Sequence, residues 1–422
     1  MSEWKKVKLG EIANIKTGKL DSNAAVTNGL YPFFTCDPTT LRINEWAYDT
    51  EAILLAGNNA SGNYTAKYYK GKFNAYQRTY IIESKDCDST SVRFLAYAMN
   101  LQLQLLKVMS SGSTTKFITM KMLTGLDIPQ PSIEAQHRIA TILSRYDTLI
   151  ENYQKQIKLL EEAAQRLYKE WFVELRFPGY ENAKMVDGLP EGWERKKLIE
   201  FDCSLESGAR PKGGVDSNLK DGIPSVGAEN VIGLGKYNYS SEKLVTNQFY
   251  SQMRKGKIKD RDILIYKDGA YIGRTSLFQD GFPHKEMAVN EHVFLLHTLN
   301  ENYQYYVFFT LYQKQYFEKM QKLNKNAAQP GLNQKALLDL VMLCPTENFV
   351  LSFNKAIEPL MKALFSKANQ IRLLTEARDR LLPKLMGGEM EVDAPKGQRA
   401  TSIEQRSGHN EQTTNAPKGQ KH

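Results

Sequence analysis

The chain has 422 residues, enough for two or three domains, and a formal net charge of +9, a balance that suits a nucleic-acid partner. No run reaches the ~18 consecutive apolar residues of a membrane span, and the opening Met1-Ser2-Glu3-Trp4-Lys5-Lys6 leads into a strand-like segment, not a signal peptide, so a cytoplasmic protein without membrane contact is expected. Cys36, Cys87, Cys203 and Cys344 form no Cys-x-x-Cys pair, which argues against disulfide staples and thiolate metal sites.

Residues 1–131 read as an α/β unit. Trp4 to Leu9 alternates like an edge strand, Lys16-Thr17-Gly18-Lys19 is a basic turn, and Ala52–Ala56 and Thr79–Ile82 are short buried-strand runs. Residues 57–63 form a polar loop, Ser91–Leu106 a helix, and Ser110–Lys116 a Ser/Thr-rich loop. Thr119 then caps a short helix that ends at Gly125.

Residues 132–177 follow as one long helix. Ser132 is its N-cap, Glu134 complements the dipole in the first turn, and Arg176 followed by Pro178-Gly179 ends it. The apolar stripe runs through Ile139, Ile142, Tyr146, Leu149, Tyr153, Ile157, Leu160, Ala164, Leu167 and Trp171, with a mean step of about 3.6 residues. At ~1.5 Å per residue such a helix spans roughly 65 Å, too long for one small domain to cover, so its stripe needs a second helix.

Residues 178–345 repeat the plan of the first unit. Gly192 to Leu198 echoes Trp4 to Leu9, Asp262–Tyr266 echoes the Ile53 strand, Ala288-Val289-Asn290 echoes Ala75-Tyr76-Gln77, and the loop at 324–331 takes the place of Ser110–Lys116. A second long helix occupies 346–391, with Leu360, Leu364, Ile371, Leu374 and Leu381 on its stripe. Pro359 should kink or break it, and Pro383 with Gly387-Gly388 should end it. Residues 392–422 are polar and are expected to be a disordered tail.

The two halves match without a gap. Gln156-Ile157-Lys158-Leu159-Leu160-Glu161-Glu162-Ala163 recurs as Gln370-Ile371-Arg372-Leu373-Leu374-Thr375-Glu376-Ala377. The same offset carries Thr119 to Asn333, Lys121 to Lys335, Leu123 to Leu337, Leu126 to Leu340 and Pro131 to Pro345. A register that holds across prolines and caps is an internal duplication. Duplicated cores with unlike loops suggest two sites doing one task on different targets.

Motifs for chemistry are missing. There is no phosphate-binding Gly-x-x-x-x-Gly-Lys loop, Gly233-Leu234-Gly235 lacks the third glycine of a dinucleotide loop, and the six histidines have no metal spacing. Asp37-Pro38 is followed by Thr39, not by the Pro-Tyr of an amino-methyltransferase. Backbone-contacting chemistry is present instead. The candidates are Lys16, Thr17 and Lys19; Ser113, Thr114, Thr115 and Lys116, whose hydroxyls and cation suit phosphate oxygens; Arg210 and Lys212; and Asn324, Lys325 and Asn326. The run Arg254–Arg261 reads as a solvated turn or a phosphate clamp.

Pro131-Ser132-Ile133-Glu134-Ala135-Gln136-His137-Arg138-Ile139-Ala140-Thr141-Ile142-Leu143 resembles the start of the shared helical region in specificity subunits of type I restriction–modification enzymes. Arg380-Leu381-Leu382-Pro383-Lys384-Leu385-Met386-Gly387-Gly388-Glu389 resembles that family's C-terminal signature. The resemblance covers the chain up to the tail, with one departure: Val350 stands where Gln136 does in the first repeat. It implies an α/β (α+β) fold with two target-recognition domains of mixed strands and helices. Each is followed by a long helix, and the two helices pack as an antiparallel coiled coil with pseudo-two-fold symmetry. It also implies that each domain reads one half of a split double-stranded DNA target and that the chain is no enzyme and binds no cofactor. Two modification subunits would hold S-adenosylmethionine, and restriction subunits would use ATP and Mg. The rival readings are a coiled-coil scaffold joining two protein-binding domains and a self-sufficient nuclease or methyltransferase.

Overall fold

A computed structural model describes residues 4–59, 64, 66–109, 116–324 and 331–390. The chain divides into two compact units, Met1–Ile139 with Lys384–His422, and Ala140–Pro383.

In the first unit β1 (Lys6–Lys8) leads into the single turn α1 (Leu9–Ile12), and β2 (Ala13–Thr17), β3 (Tyr31–Phe34), β4 (Leu41–Ile43), β5 (Tyr48–Ala56), β6 (Asn58–Asn59), β7 (Ala66–Ala75) and β8 (Thr79–Ser84) follow. Five of these build a sheet around β5 in the order β2-β8-β5-β7-β3-β4, antiparallel except where Phe33 and Phe34 run parallel to Asn74 and Ala75. Both faces of β5 are covered, so Ala52, Ile53, Leu54 and Leu55 are all buried, as a continuous apolar run requires. Phe34, Ala52, Leu54, Phe73, Ala75 and Ile81 form the cluster on one face. After α2 (Val92–Met109) come β9 (Lys116–Phe117), the short α3 (Met120–Thr124) and β10 (Asp127–Pro129), which pairs with β1. Thr119 caps α3 by accepting from the Met122 N–H, as its sequence predicts. Then α4 (Ile133–Tyr168) begins.

The second unit opens with a small hairpin, β11 (Met185–Val186) and β12 (Leu189–Pro190), followed by β13 (Glu194–Lys197), β14 (Cys203–Ser207), β15 (Ile223–Val226), β16 (Leu244–Val245) and α5 (Asn247–Gln252). Next come β17 (Ile263–Tyr266), β18 (Thr275–Leu277), β19 (Ala288–Val289), β20 (Val293–Thr298), α6 (Gln304–Leu311), α7 (Lys314–Asn324), α8 (Gln334–Leu338), β21 (Val341–Cys344) and α9 (Glu347–Met386). The order β14-β20-β17-β18 repeats β2-β8-β5-β7, and β13 pairs with β21 as β1 does with β10. Asn333 caps α8 through the Lys335 N–H, the counterpart of Thr119. Leu9 N donates to Leu126 O at 2.9 Å, and Leu198 N to Leu340 O at the same distance.

The hydrogen bonds move one sequence alignment by a residue. Tyr76 N donates to Phe34 O and Asn290 N to Val226 O, so Tyr76 corresponds to Asn290, and Ala75 to Val289 rather than to Ala288. The alanine identity had suggested the other register, whereas backbone pairing restores the offset that relates Thr119 to Asn333.

Within the second unit the long helices run antiparallel. Asp147 pairs with Arg378 at 2.8 Å, Tyr153 lies under the Lys367 ammonium at 5.0 Å, and Phe172 meets Phe353 at 5.0 Å, so the partner retreats as α4 advances. The buried stripe of α4 and the turn that follows it is Leu143, Ile150, Ile157, Ala164 and Trp171, spaced by seven. The stripe read from the sequence meets this seam at Ile157, Ala164 and Trp171, and its Ile139 is also buried, but at two places it falls one residue short. Ile142 is half-buried and Leu149 is 36% exposed, because a heptad seam takes the position one residue on from each. Ile157, Leu160 and Leu167 do join the core, although Tyr168 is buried more deeply than Leu167. On α9, Leu364 is buried, and Leu360 and Ile371 pack against the core, while Leu374 and Leu381 are half-buried.

Neither proline acts as expected. The helix continues through Pro359 and Pro383. Both are exposed, so the carbonyls they leave unpaired can face water. Buried Ile357, Met361 and Leu364 hold the backbone helical around Pro359, against a local cost of about 3 kcal/mol. The true stop is Gly388, at φ 73°, with Glu389 N donating to Lys384 O and Gly388 N to Leu385 O. Similarly α4 widens at Lys169–Val173 and ends on Leu175, whose φ is 56°, ahead of Pro178; Arg176 closes back on Glu170 at 2.8 Å.

Among the described residues no helix is long and apolar enough to cross a membrane.

Candidate nucleic-acid interface

One end of each unit's sheet is a rim where turns converge. In the first unit β2 ends at Thr17, β5 runs out into Gly57 and Asn58, Gln77 and Arg78 make the turn into β8, and Phe117 and Ile118 lead towards α3. With Tyr80 these residues line a cavity of ≈ 540 Å³. The backbone fixes their places: Gly57 N donates to Arg78 O at 2.8 Å, Ile118 N to Gly57 O at 2.8 Å, and Gly18 N to Thr79 O at 3.1 Å. A side chain at Gly18 would put its Cβ 2.1 Å from Ala75 O, so only glycine allows this approach. The Tyr80 hydroxyl donates to Ile118 O at 2.7 Å, and burial raises its pKa. Gln77 Nε2 donates to Asp21 at 2.6 Å, and Phe117 is 49% exposed. Among the described residues no carboxylate pairs with the Arg78 guanidinium.

The second unit repeats the first two of these bonds with different side chains, while its glycine, Gly208, donates to the counterpart of Tyr76 instead of that of Thr79. Lys267 N donates to His292 O at 3.0 Å, Leu332 N to Lys267 O at 2.8 Å, and Gly208 N to Asn290 O at 3.2 Å. A Cβ on Gly208 would lie 1.5 Å from Val289 O. Ser207 therefore stands where Thr17 does, Asp268 where Asn58 does, Glu291 where Gln77 does, and His292 where Arg78 does. The polar groups are linked: Arg210 pairs with Glu291 at 2.6 Å, and the two His292 ring nitrogens face Asp268 and Glu291, each at 3.3 Å. Because its nitrogens address different carboxylates, the trio does not converge on one point as metal ligands would. The Arg274 guanidinium stacks 3.9 Å from the exposed Tyr271 ring. A neighbouring cavity of ≈ 520 Å³ is lined by Arg210, Asp216, Tyr239, Glu242, Lys243 and Asn290 among others.

Of the sequence candidates, Thr17 lies on the first rim and Lys19 is exposed one residue beyond Gly18. Lys16 is not in a turn. It is a residue of β2, ion-paired with Glu83 at 2.6 Å and lying over the Tyr48 ring, because strand pairing extends through Thr17. Arg210 reaches the second rim through Glu291, and Lys212 is exposed in the turn that follows. Lys116 is placed by its backbone, which pairs with Asn59, and Asn324 is the last residue of α7. Ser113, Thr114, Thr115, Lys325 and Asn326 lie outside the described residues. In the Arg254–Arg261 run, Arg261 is held by Glu301 at 2.8 Å, which favours the structured turn over a clamp. Sequence reading did not single out Asn58, Gln77, Arg78, Asp268, Glu291 or His292. The signal was the duplication itself, carried past Tyr76 in the correct register.

Gly233 and Gly235 also find a use. Their φ values are positive, and a Cβ on Gly235 would lie 2.6 Å from Leu364, so this loop sits directly over the helix seam. Beside it, buried Glu161 of α4 accepts from the Tyr312 hydroxyl at 2.5 Å and pairs with Lys236 at 3.2 Å, which ties this loop and the end of α6 to the helix.

The family model for the type I restriction modification DNA specificity domain matches residues 1–162. The chain is 41% identical over 237 residues to the type I restriction enzyme EcoDI specificity subunit of Escherichia coli, covering 51% of each chain. It is 30% identical over 299 residues to the MjaIX specificity subunit of Methanocaldococcus jannaschii, covering 69% of this chain and 66% of that one. The alignments thus span about half to two thirds of these relatives. The crystal structure of a type I restriction–modification S subunit from M. genitalium superposes with a TM-score of 0.58 at 18% identity, over 90% of this chain and 96% of that one, and so shares the fold.

Proposed function

The chain belongs to the specificity subunits of type I restriction–modification systems, and from that premise we propose that it is the DNA-reading component of such a complex. Each recognition domain reads one half of a bipartite double-stranded target, the first through residues 1–131 and the second through 178–345. The helices at 132–177 and 346–391 set the spacing. The observation that carries this is the pair of rims, held by matching backbone bonds and bearing unlike side chains. Side chains presented on a fixed frame suit base edges in the major groove, while Lys19, Lys212 and residues 113–116 and 324–326 supply backbone contacts that hold register.

The chemistry lies with partners. Methylating a base requires flipping it out of the duplex into a pocket beside the methyl donor. Two modification subunits carrying S-adenosylmethionine dock on the helices, and restriction subunits use ATP and Mg, all acting on DNA in the cytoplasm. Two equivalent docking surfaces are supported by Leu159 and Leu373, which hold corresponding places in the duplication and are 63% and 53% exposed. Family membership favours this reading over the scaffold. Methylome sequencing with and without the gene tests it. A bipartite methylated motif should vanish on deletion, and a motif that persists would refute the reading.

A further inference from the structure

We propose that the corresponding pairs Asn58 and Asp268, Gln77 and Glu291, and Arg78 and His292 are the base-reading groups, and that the first half-site consequently presents a guanine acceptor edge to Arg78 while the second presents an exocyclic amino group to Glu291. This rests on the DNA-reading function above and adds residues and base classes to it.

The first rim is rich in donors. Arg78 follows Gln77 in a turn whose carbonyl is tied to Gly57 N, so its side chain leaves from a fixed point. A guanidinium matches the O6 and N7 acceptors of guanine two at a time. Asp21 takes one amide hydrogen of Gln77 and so fixes the amide plane, leaving the other hydrogen and Oε1 for an adenine edge.

The second rim is rich in acceptors. Glu291 occupies the Gln77 position, and its Oε2 is enclosed and has no hydrogen-bond partner, while Oε1 is held by Arg210 and His292. Leaving a carboxylate oxygen enclosed and unpaired is costly, and because the Glu291 side chain is 36% exposed, a turn about its terminal torsion brings Oε2 out to a donor. Asp268 adds a second carboxylate, at the position where the first rim has the neutral Asn58. Carboxylates accept from the exocyclic amino group of cytosine, or of adenine, and reject the carbonyl edges of guanine and thymine. The first half-site should therefore hold guanine at the Arg78 contact and adenine at the Gln77 contact, and the second should hold cytosine or adenine at the Glu291 contact, read on the contacted strand.

The test uses the complete modification complex carrying wild-type, Arg78→Ala, Arg78→Lys or Glu291→Gln chains, expressed in a host without other methylation and read by methylome sequencing. Arg78→Ala and Arg78→Lys should each relax one guanine position in one half-site, with methylation of that base preference falling about tenfold or more. Glu291→Gln should relax a cytosine or adenine position in the other half-site only. Arg78→Lys keeps the charge and loses the fork, so it reports base reading even if the alanine variant fails to assemble. Unchanged motifs in assembled variants, or changes from both residues in the same half-site, would overturn the proposal. A wild-type arm with no bipartite motif would instead refute the DNA-reading function.

Discussion

The sheets of the two units are built to one plan and finished differently. In the first, Ala66–Ala75 is one long strand that pairs with β5 along its length and with β3 at its end. In the second, the same path is broken into β18 and β19, which join separate sheets, with the turn containing Phe282 and Pro283 between them. What stays the same is a set of backbone contacts: the glycine against the strand, the turn tied back to the preceding strand, and the capped short helix. The entry of the long helix shows how the same carbonyl can be satisfied in two ways. Buried Gln136 donates to Pro131 O at 3.0 Å and also accepts from Ser91 N at 2.9 Å. At the second entry the Tyr303 hydroxyl donates to Pro345 O at 3.0 Å, which frees the Gln136 position for the buried Val350. A frame carried by main-chain bonds leaves the rim side chains free to differ, as two independent readers require.

The glycines should be the most sensitive test of that frame. Gly18→Val and Gly208→Val each drive a side chain into a strand carbonyl and should destabilise their own unit by about 3 kcal/mol or more, measured by urea unfolding. Near-native stability for either would mean the approach is not required. The helix seam gives the next contrast. Ile157→Ala should cost about 2–5 kcal/mol and Leu149→Ala no more than about 0.5 kcal/mol, and equal costs would return the seam to the register first read from the sequence.

Exchanging the two entry devices separates them further. Gln136→Val strands the Ser91 N–H and should cost about 1–3 kcal/mol, and Val350→Gln should cost a similar amount by burying an amide with no partner. A neutral effect from either would show that the entries are interchangeable. The smallest effect is in acid. The amides of Asn300 and Asn302 donate to Glu347 and hold its carboxyl below the ordinary value of 4.5. A carboxyl with a depressed folded pKa adds stability above its unfolded value and loses it as pH falls through the folded one. The gap in unfolding midpoint between wild type and Glu347→Gln should therefore close below pH 4.5, and a gap unchanged there would remove Glu347 from the account.

Local signals made much of the frame legible. Thr119 and Asn333 cap as their side chains predict, the apolar runs at Ile53 and Ile263 are buried strands, and the duplication located both long helices. The misses have physical causes. A stripe counted at the straight-helix period drifts from a seven-residue seam, which displaced Ile142 and Leu149 by one position. Pro359 was judged by local cost, while packing on both sides of it decides the outcome. The rims were hidden because Asn58, Gln77 and Arg78 are polar turn residues with no periodicity, brought together by bonds such as Gly57 N to Arg78 O. Arg210 was singled out for its charge, but its partner Glu291 lies far along the chain and could be found only through the duplication.

The central claim is that the two recognition domains read separately. Replacing residues 178–345 with the matching domain of a relative, in the complete modification complex, and sequencing the methylome tests it most directly. One half-site should change, while the other half-site and the spacing stay as in wild type. If both half-sites change together, the two domains do not read separately and the claim fails.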